Sequence, residues 1–421
     1  MADIVAVARV YIWSHFVGAV AEAVDGQITF EYEPAFHRSG LEISPLQLPL
    51  SRLGPITFPE LQRLEAFLGL PGVLADALPD RFGNAVITKY FTDRGRPQDA
   101  LRPVQKLLYV GNRAMGALEF RPPIPVEHRA EREPLQIAEL VREARVVVEG
   151  RPHVAIPEIM RLGASAGGTR PKALVLWNRE KDEIRSAFAR PKKGDEHWIL
   201  KFDGVGEPGT PDPAPQPFNR IEFAYSQLAR TAGIEIPETR LLQERGRGHL
   251  MVRRFDRGGT TRLHLHSLGG LHHVDFNQPG AFSYEQFLRT LLTLRLDYPT
   301  LEEGYRRAVF NVVAVNQDDH VKNISFLMEA NGVWRLAPAY DLTYARGTGF
   351  TQLHQMSLGG KRDGFTRSDL LALGTSFGIK RHGADVIDRV VESLKRWPEY
   401  AASAGVPGER IAAIGSQFRR P

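Results

Sequence analysis

The chain has 421 residues, 43% of them hydrophobic and 24% charged, with 39 glycines, 29 prolines and no cysteine. That length suits two or three domains, and the lack of cysteine excludes disulfide scaffolds, cysteine-ligated zinc or iron–sulfur sites and thiol catalysis. The net charge of +5 arises after residue 125 and contains no Lys/Arg block. It fits a protein that handles phosphates and an ordinary basic surface equally well, and it gives no direct nucleic-acid footprint.

Taken in chain order, the apolar stretch Ile4–Val24 is interrupted by Arg9, Ser14 and His15 and follows Met-Ala-Asp. It reads as a strand and turn rather than a secretory signal, and no run approaches the roughly 18–20 apolar residues of a membrane span. The expected location is the cytoplasm. Alternation predicts strands over Ala6–Trp13 and Gly26–Tyr32, a helix over Phe58–Leu68 behind the capping signature Thr57-x-x-Glu60, and a strand pair over Leu107–Phe120 turning at Gly111-Asn112. Arg121-Pro-Pro-Ile-Pro125 can continue neither helix nor sheet and closes this unit.

Beyond it a helix is predicted around Leu135–Glu149 and strands over Ala173–Trp177 and Trp198–Phe202. The proline-rich 204–219 segment reads as a surface loop. Ile221, Ala224, Leu228, Ala229 and Ala232 share one helical face that stops at Gly233, and strands follow near Glu238–Leu242 and His249–Phe255. Past 280 the character is helical: Tyr284–Arg295, Leu301–Asn316, Asp369–Phe377 and Val386–Leu394. The expected organisation is a β-rich N-terminal subdomain (1–125), a mixed α/β lobe (126–258) and a mostly helical lobe (259–421).

The most informative segment is 316–343. Asn331-Gly332 predicts a two-residue hairpin turn, which would set Asn323 opposite Tyr340 with Asp341 beside it. Asp318 sits in the loop leaving a long helix. A loop acid, an Asn five residues on and an Asp across a hairpin is the set a phosphotransferase uses: Asp318 accepts the proton of the attacking hydroxyl, while Asn323 and Asp341 offer hard oxygen ligands to Mg²⁺. Lys322 or His320 would offset phosphate charge. The plainer reading is an acidic helix cap before an ordinary hairpin.

Three further pieces are ambiguous singly. Gly163-Ala-Ser165-Ala-Gly167-Gly168-Thr169-Arg170-Pro-Lys172 is either a turn or a Gly-rich anion loop with two cations, and it is not a Walker A loop. Lys201, in an apolar strand, is either solvated or paired with Glu222 on the following helix, as a kinase lysine is paired. Arg253-Arg254-Phe255 lies where a hinge would hold adenine, or is a surface pair. The four histidines of His264–His273 read as a loop in preference to a metal site.

In this order, Ser165-Ala-Gly-Gly-Thr-Arg-Pro-Lys172, Val252-Arg-Arg-Phe-Asp-Arg257, Asp318-Asp-His-Val-Lys-Asn323 and Ala337-Pro-Ala-Tyr-Asp341 resemble the HipA family of serine/threonine kinases, the toxin half of bacterial toxin–antitoxin modules. Ile43–Leu50 and Leu70–Gly83 resemble that family's N-terminal subdomain. The resemblance implies an α+β, protein-kinase-like two-lobed fold, with a mixed α/β N-lobe and a mostly helical C-lobe behind a β-rich N-terminal subdomain. It implies ATP and Mg²⁺ in the cleft, with Asp318 as base and Asn323 and Asp341 on the metal. Gly167, Gly168, Thr169, Arg170, Lys172, Lys201, Glu222, Arg253, Arg254, Phe255, His320, Lys322 and Tyr340 would surround the nucleotide.

Ser165 matches the serine whose autophosphorylation switches such kinases off; its phosphate adds about −1.5 to −2 charges where nucleotide phosphates bind. A protein substrate (an aminoacyl-tRNA synthetase for some relatives) and a helix-turn-helix, HipB-like antitoxin are implied as partners, with DNA reached only through the antitoxin and no membrane. Arg253 stands where well-known members carry an acid, and 204–219 and 264–276 look like insertions of a divergent branch. Two other readings remain: an inactive kinase-like binding module acting as co-repressor, and a small-molecule phosphotransferase.

Overall fold

The protein is described from a computed structural model, which covers residues 4–79, 81–92, 101–124, 171–187, 189–204, 216–244, 246–258, 261–379 and 382–421, with scattered positions between 135 and 144. Alternation builds its front. In β1 (Ile4–Ile12) Ala6, Ala8, Val10 and Ile12 are buried while Val5, Val7 and Arg9 face solvent. The strand turns through Trp13 and Ser14, both at positive φ, into β2 (His15–Ala23). With β3 (Ile28–Tyr32), β4 (Ile56–Thr57) and β5 (Leu118–Arg121) they form an antiparallel sheet of order β4-β3-β2-β1-β5. Three helices lie between its last strands: α1 (Gly72–Ala75), α2 (Arg81–Thr92) and α3 (Pro103–Val110).

The second sheet, order β7-β6-β8-β10-β9, joins β6 (Lys172–Asn178), β7 (Glu183–Ser186), β8 (Asp195–Lys201), β9 (Thr239–Glu244) and β10 (Arg247–Arg253). One face packs around Trp177 and Trp198, whose rings meet edge-on at 5.4 Å. Between β8 and β9 runs α4 (Phe218–Thr231), ended by Gly233 at φ +89. Ile221, Ala224, Tyr225, Leu228 and Ala229 place this helix in the core of the helical lobe, so it ties the second sheet to that lobe. The ribbon β11 (Arg257–Gly258) and β12 (Thr261–Arg262) leads into β13 (His264–Ser267), which pairs with β14 (Ser325–Met328) and β15 (Trp334–Leu336) in the order β13-β14-β15. Among the described residues the further helices are α5 (Leu268–His272), α6 (Tyr284–Thr293), α7 (Tyr298–Val313), α8 (Arg367–Ser376), α9 (Gly383–Ser393), α10 (Trp397–Ser403) and α11 (Gly408–Gly415). Among the described residues, no helix is long and apolar enough to cross a membrane.

Four sequence expectations are corrected. Phe58–Leu68 is a short 3₁₀ turn at Pro59–Leu61 followed by turns, and Leu68 at φ +52 and Gly69 at φ +84 prevent a helix from running through. Leu107–Val110 belongs to α3 and not to a strand; Val104, Leu107 and Val110 repeat at helical spacing and are buried. The β14–β15 register pairs Phe326 with Leu336 and Met328 with Trp334, one residue off the two-residue turn. Gly332 N–H reaches Glu329 O at 2.9 Å and Gly332 takes φ +83, which is the three-residue loop built from a type I turn and a left-handed residue. Finally, His264–His273 is β13 and α5 rather than a loop, with His264 and His266 fully buried. Most of the predicted 135–149 helix and of the 204–219 loop lies outside the described residues.

Asp256 stitches the first sheet's module to the second. It is fully buried and receives Arg254 at 2.9 and 2.7 Å, Arg257 at 2.6 Å and the Gly116 N–H at 2.8 Å. Those cations hold its carboxyl far below the ordinary range despite burial. Asp256→Ala leaves two buried guanidinium groups without their carboxylate and should cost about 3–5 kcal/mol, read as a lower urea midpoint at unchanged slope.

Candidate functional site

The site lies between the second sheet and the helical lobe. Lys201 ends β8, and strand alternation turns it away from Leu200 and Phe202, which lie in the tryptophan-centred core. Its ammonium meets Glu222 of α4 at 2.5 Å and the carboxylate of Asp341. Asn219, one turn before Glu222, donates its amide to Lys201 O at 3.0 Å, which locks the helix start to the strand end. Asp341 follows β15 in a left-handed conformation (φ +54), which Asp tolerates better than most residues.

Burial opposes every charge in this group, and mutual attraction overrides it. Burial would lower the Lys201 pKa, but Asp341 and then Glu222 hold it above the ordinary lysine value. Burial would raise Asp341, but Lys201 and Lys172 pull it down to about 2. Lys172 is the β6 residue paired with Lys201 across the strands, so two cations converge on one carboxylate. Lys201 and Asp341 are therefore both charged at neutral pH.

The loop after α7 carries the candidate base. Val315 takes φ +56, the Asn316 amide donates to Asn311 Oδ1 at 2.9 Å, and Gln317 N–H donates to Ala345 O at 2.8 Å. Two adjacent acids are thereby sent in opposite directions. Asp319 is fully buried and accepts from Tyr284 O–H at 2.5 Å, His354 Nδ1 at 2.8 Å and Gln355 N–H at 2.7 Å. The Asp318 side chain is 40% exposed, with His320 Nε2 at 3.8 Å. Its carbonyl accepts the Asn323 amide at 2.8 Å, so the base and the candidate metal ligand are held as one unit. This bond also turns Asn323 so that its carbonyl oxygen is the atom left to face a cation.

His320 packs between Phe276 at 5.1 Å and Phe350 at 6.2 Å. Burial, opposed by Asp341, lowers its pKa to about 4. It is therefore neutral at pH 7. The Lys322 ammonium lies 5.6 Å from the Phe276 ring centroid, while its carbonyl accepts the Tyr340 hydroxyl at 2.7 Å. Tyr340 also meets Ser325 Oγ at 2.6 Å and stacks on Phe255 at 5.6 Å. Of the predicted hinge, Phe255 packs on Tyr340 and on the small cluster of Leu265, Leu327 and Ala337. Arg253 is half exposed near Glu196 and Glu238, and Arg254 is held by Asp256.

A recess between the lobes is lined by Glu222, Ile236, Leu250, Val252, Tyr340 and Asp341, apolar toward the sheet and acidic toward the loop. Ser165, Gly167, Gly168, Thr169 and Arg170 lie outside the described residues. Among the described residues no group of three or more His, Asp or Glu converges as a metal cage. Sequence reasoning missed Tyr284, His354 and Gln355, which hold Asp319. The doubled acid at 318–319 was the only local trace of them.

A family model described as HipA-like C-terminal domain matches residues 164–397, and one described as HipA N-terminal domain matches residues 8–121. The chain is 26% identical over 212 residues to "Putative kinase Y4dM" of Sinorhizobium fredii, covering 48% of each protein. It is 28% identical over 166 residues to a "Putative kinase" of Haemophilus influenzae, covering 35% of this chain and 47% of that one. The chain thus spans about half the length of the curated relatives it matches. Among solved structures, HipA of the Shewanella oneidensis MR-1 toxin–antitoxin system, crystallised with HipB and operator DNA, superposes with a TM-score of 0.66 at 17% identity, covering 97% of this chain and 94% of that one. That likeness shows the mixed α/β, kinase-like fold.

Proposed function

The chain belongs to the HipA family, whose C-terminal domain matches more than half of it, and on that premise we propose that it is an ATP- and Mg²⁺-dependent serine/threonine protein kinase that arrests growth by phosphorylating a protein of its host. The observation that carries this reading is the buried Lys201–Glu222–Asp341 group facing the Asp318–Asn323 loop. Holding Lys201 and Asp341 charged where burial opposes both is costly for stability alone and fits the demands of phosphoryl transfer.

In this mechanism Lys201, oriented by Glu222, binds the α- and β-phosphates. Asn323 and Asp341 would hold Mg²⁺, which would supply positive charge against the nucleotide phosphates. The apolar recess at Leu250 and Val252 takes the adenine. Asp318 accepts the proton of a serine or threonine hydroxyl as its oxygen bonds the γ-phosphorus and the β,γ-bridging oxygen leaves with ADP. Autophosphorylation of Ser165, placing a dianion ahead of Lys172, switches the enzyme off. A HipB-like antitoxin is the expected partner, and it would bring the complex to DNA.

The test is incubation of the purified chain with γ-labelled ATP and Mg²⁺, followed by site mapping by mass spectrometry. Label on Ser165 or on an added protein, dependent on Mg²⁺, is expected. A chain free of prior phosphate that binds ATP at no concentration would overturn the reading in favour of a binding module, and label confined to a small-molecule acceptor would move it to that substrate class.

A further inference from the structure

The histidine-rich stretch does something other than bind metal. His266 Nδ1 lies 2.7 Å from Asp76 Oδ2, and its Nε2 lies 3.0 Å from Ser44 Oγ. Ser–His–Asp in this order is the arrangement of an acyl-transfer triad, but Ser44 and His266 are 0% exposed and Asp76 is 6% exposed. No substrate carbonyl reaches that hydroxyl, so the group has to be understood by what it joins. Ser44 and Asp76 belong to the front module, while His266 lies on β13, beside the strand that leaves the catalytic loop.

Asp76 does more than orient the imidazole. Its two oxygens also accept Ser267 N–H at 2.7 Å and Ser267 O–H at 2.6 Å, and Ser267 Oγ in turn caps α5 by accepting Gly270 N–H at 2.9 Å. The backbones of α1 and α5 touch. A Cβ on Gly72 would stand 1.9 Å from Gly270 O, and one on Gly270 would stand 2.4 Å from Asp76 Oδ2. Gly72 N–H donates to His273 Nε2 at 3.0 Å, and His264 reaches Ile43 O at 2.8 Å. These six bonds and a glycine-on-glycine contact thus seat the front module on this one short segment.

From there the contacts run into the catalytic loop. Leu268 N–H donates to Ile324 O at 2.8 Å, Ser267 pairs with Ser325, and Gly269 gives way to Val321, whose Cγ2 a Cβ there would meet at 2.9 Å. Residues 321–325 are thereby held from behind by the segment that Asp76 grips. Asn323 lies in the middle of them and ties back to the Asp318 carbonyl.

We infer that Asp76 is a positioning residue for phosphoryl transfer, and that the front module is a clasp which, through Ser267 and α5, fixes the loop carrying Asn323 and Asp318. This rests on the kinase reading above. A carboxylate is required because both oxygens only accept. An Asn would turn an amide N–H against Ser267 or His266, and the Gly270 contact leaves no room for the longer Glu. Burial acts against the charge, but His266 and Lys322 keep Asp76 ionised.

The test uses the full chain and compares wild type, Asp76→Asn, Ser267→Ala and Val20→Ala, the last a cavity in the front sheet away from the clasp. Hydrogen–deuterium exchange over 318–328 is read together with the Mg²⁺ concentration for half-maximal phosphate transfer. Asp76→Asn should raise exchange there about ten-fold and raise the Mg²⁺ requirement about ten-fold, with KM for ATP little changed, as loss of an outer-shell partner does. Ser267→Ala should move both in the same direction and serves alone if Asp76→Asn does not fold. Unchanged exchange, or the same change in Val20→Ala at a matched loss of Tm, overturns the proposal. If the wild type transfers no phosphate, the kinase reading falls, while the exchange comparison still decides whether the clasp holds the loop.

Discussion

Asp318→Asn should lower phosphate transfer by roughly 10²–10⁴ while the affinity for ATP stays within about two-fold of wild type. The expectation comes from how the two neighbouring acids are used. The Asp318 carboxylate is 40% exposed, so replacing it by an isosteric amide disturbs little of the fold. Its carbonyl, which holds Asn323, survives the substitution. Transition-state proton transfer is lost and nucleotide binding is kept. Asp319→Asn is the control: there the amide faces Tyr284, His354 and Gln355 in a fully buried setting, and the loss should appear as a lower Tm. Calorimetry with ATP and quantitative phosphosite mapping separate the two. A drop in ATP affinity in Asp318→Asn equal to its drop in rate would remove Asp318 from the role of base.

The contrast between these acids also marks the limit of what could be read in the sequence. Segments whose side chains alternate or repeat over several residues were legible: β1, α4 and the helices α6, α7, α8 and α9 follow their patterns, while α10 and α11 were not expected. So was the pairing of Lys201 with Glu222, since a charged residue inside an apolar strand and another beside the buried stripe of the next helix have few other partners. Turns were less legible. Trp13-Ser14 takes a tight reversal without glycine, and Asn331-Gly332 is part of a three-residue loop, because the sheet partners of β14 set its register and the dipeptide does not. Contacts that join distant segments were illegible. Nothing near Asp319 announces His354, and nothing near Asp76 announces His266, 190 residues away. The histidines looked like a loop because their burial depends on a module folded from residues 4–120.

Lys201→Met should abolish detectable transfer and, independently, destabilise the protein by about 3–5 kcal/mol, because Glu222 and Asp341 lose the ammonium they share and Lys172 alone is left to offset Asp341. The pH dependence gives this prediction its sign. In the wild type Asp341 is depressed to about 2, so its contribution is complete above the ordinary aspartate pKa and is lost only as pH falls toward 2. Lys201 is raised, so its contribution is complete below the ordinary lysine pKa and is lost only at strongly alkaline pH. Wild-type stability from this group should therefore be flat from about pH 5 to 9. Without Lys201, burial pushes the Asp341 carboxyl upward against Lys172 alone. A group whose folded pKa is raised stabilises below its unfolded value, so the deficit of Lys201→Met should be smallest near pH 4 and grow as pH rises through 6. Adding Glu222→Gln removes one stranded charge and should recover about 1–3 kcal/mol of stability at pH 8 without restoring transfer. Urea unfolding of the three proteins at pH 4, 6 and 8 reads all of this, and a deficit that does not change with pH would show that the three groups do not share a charge in the folded protein.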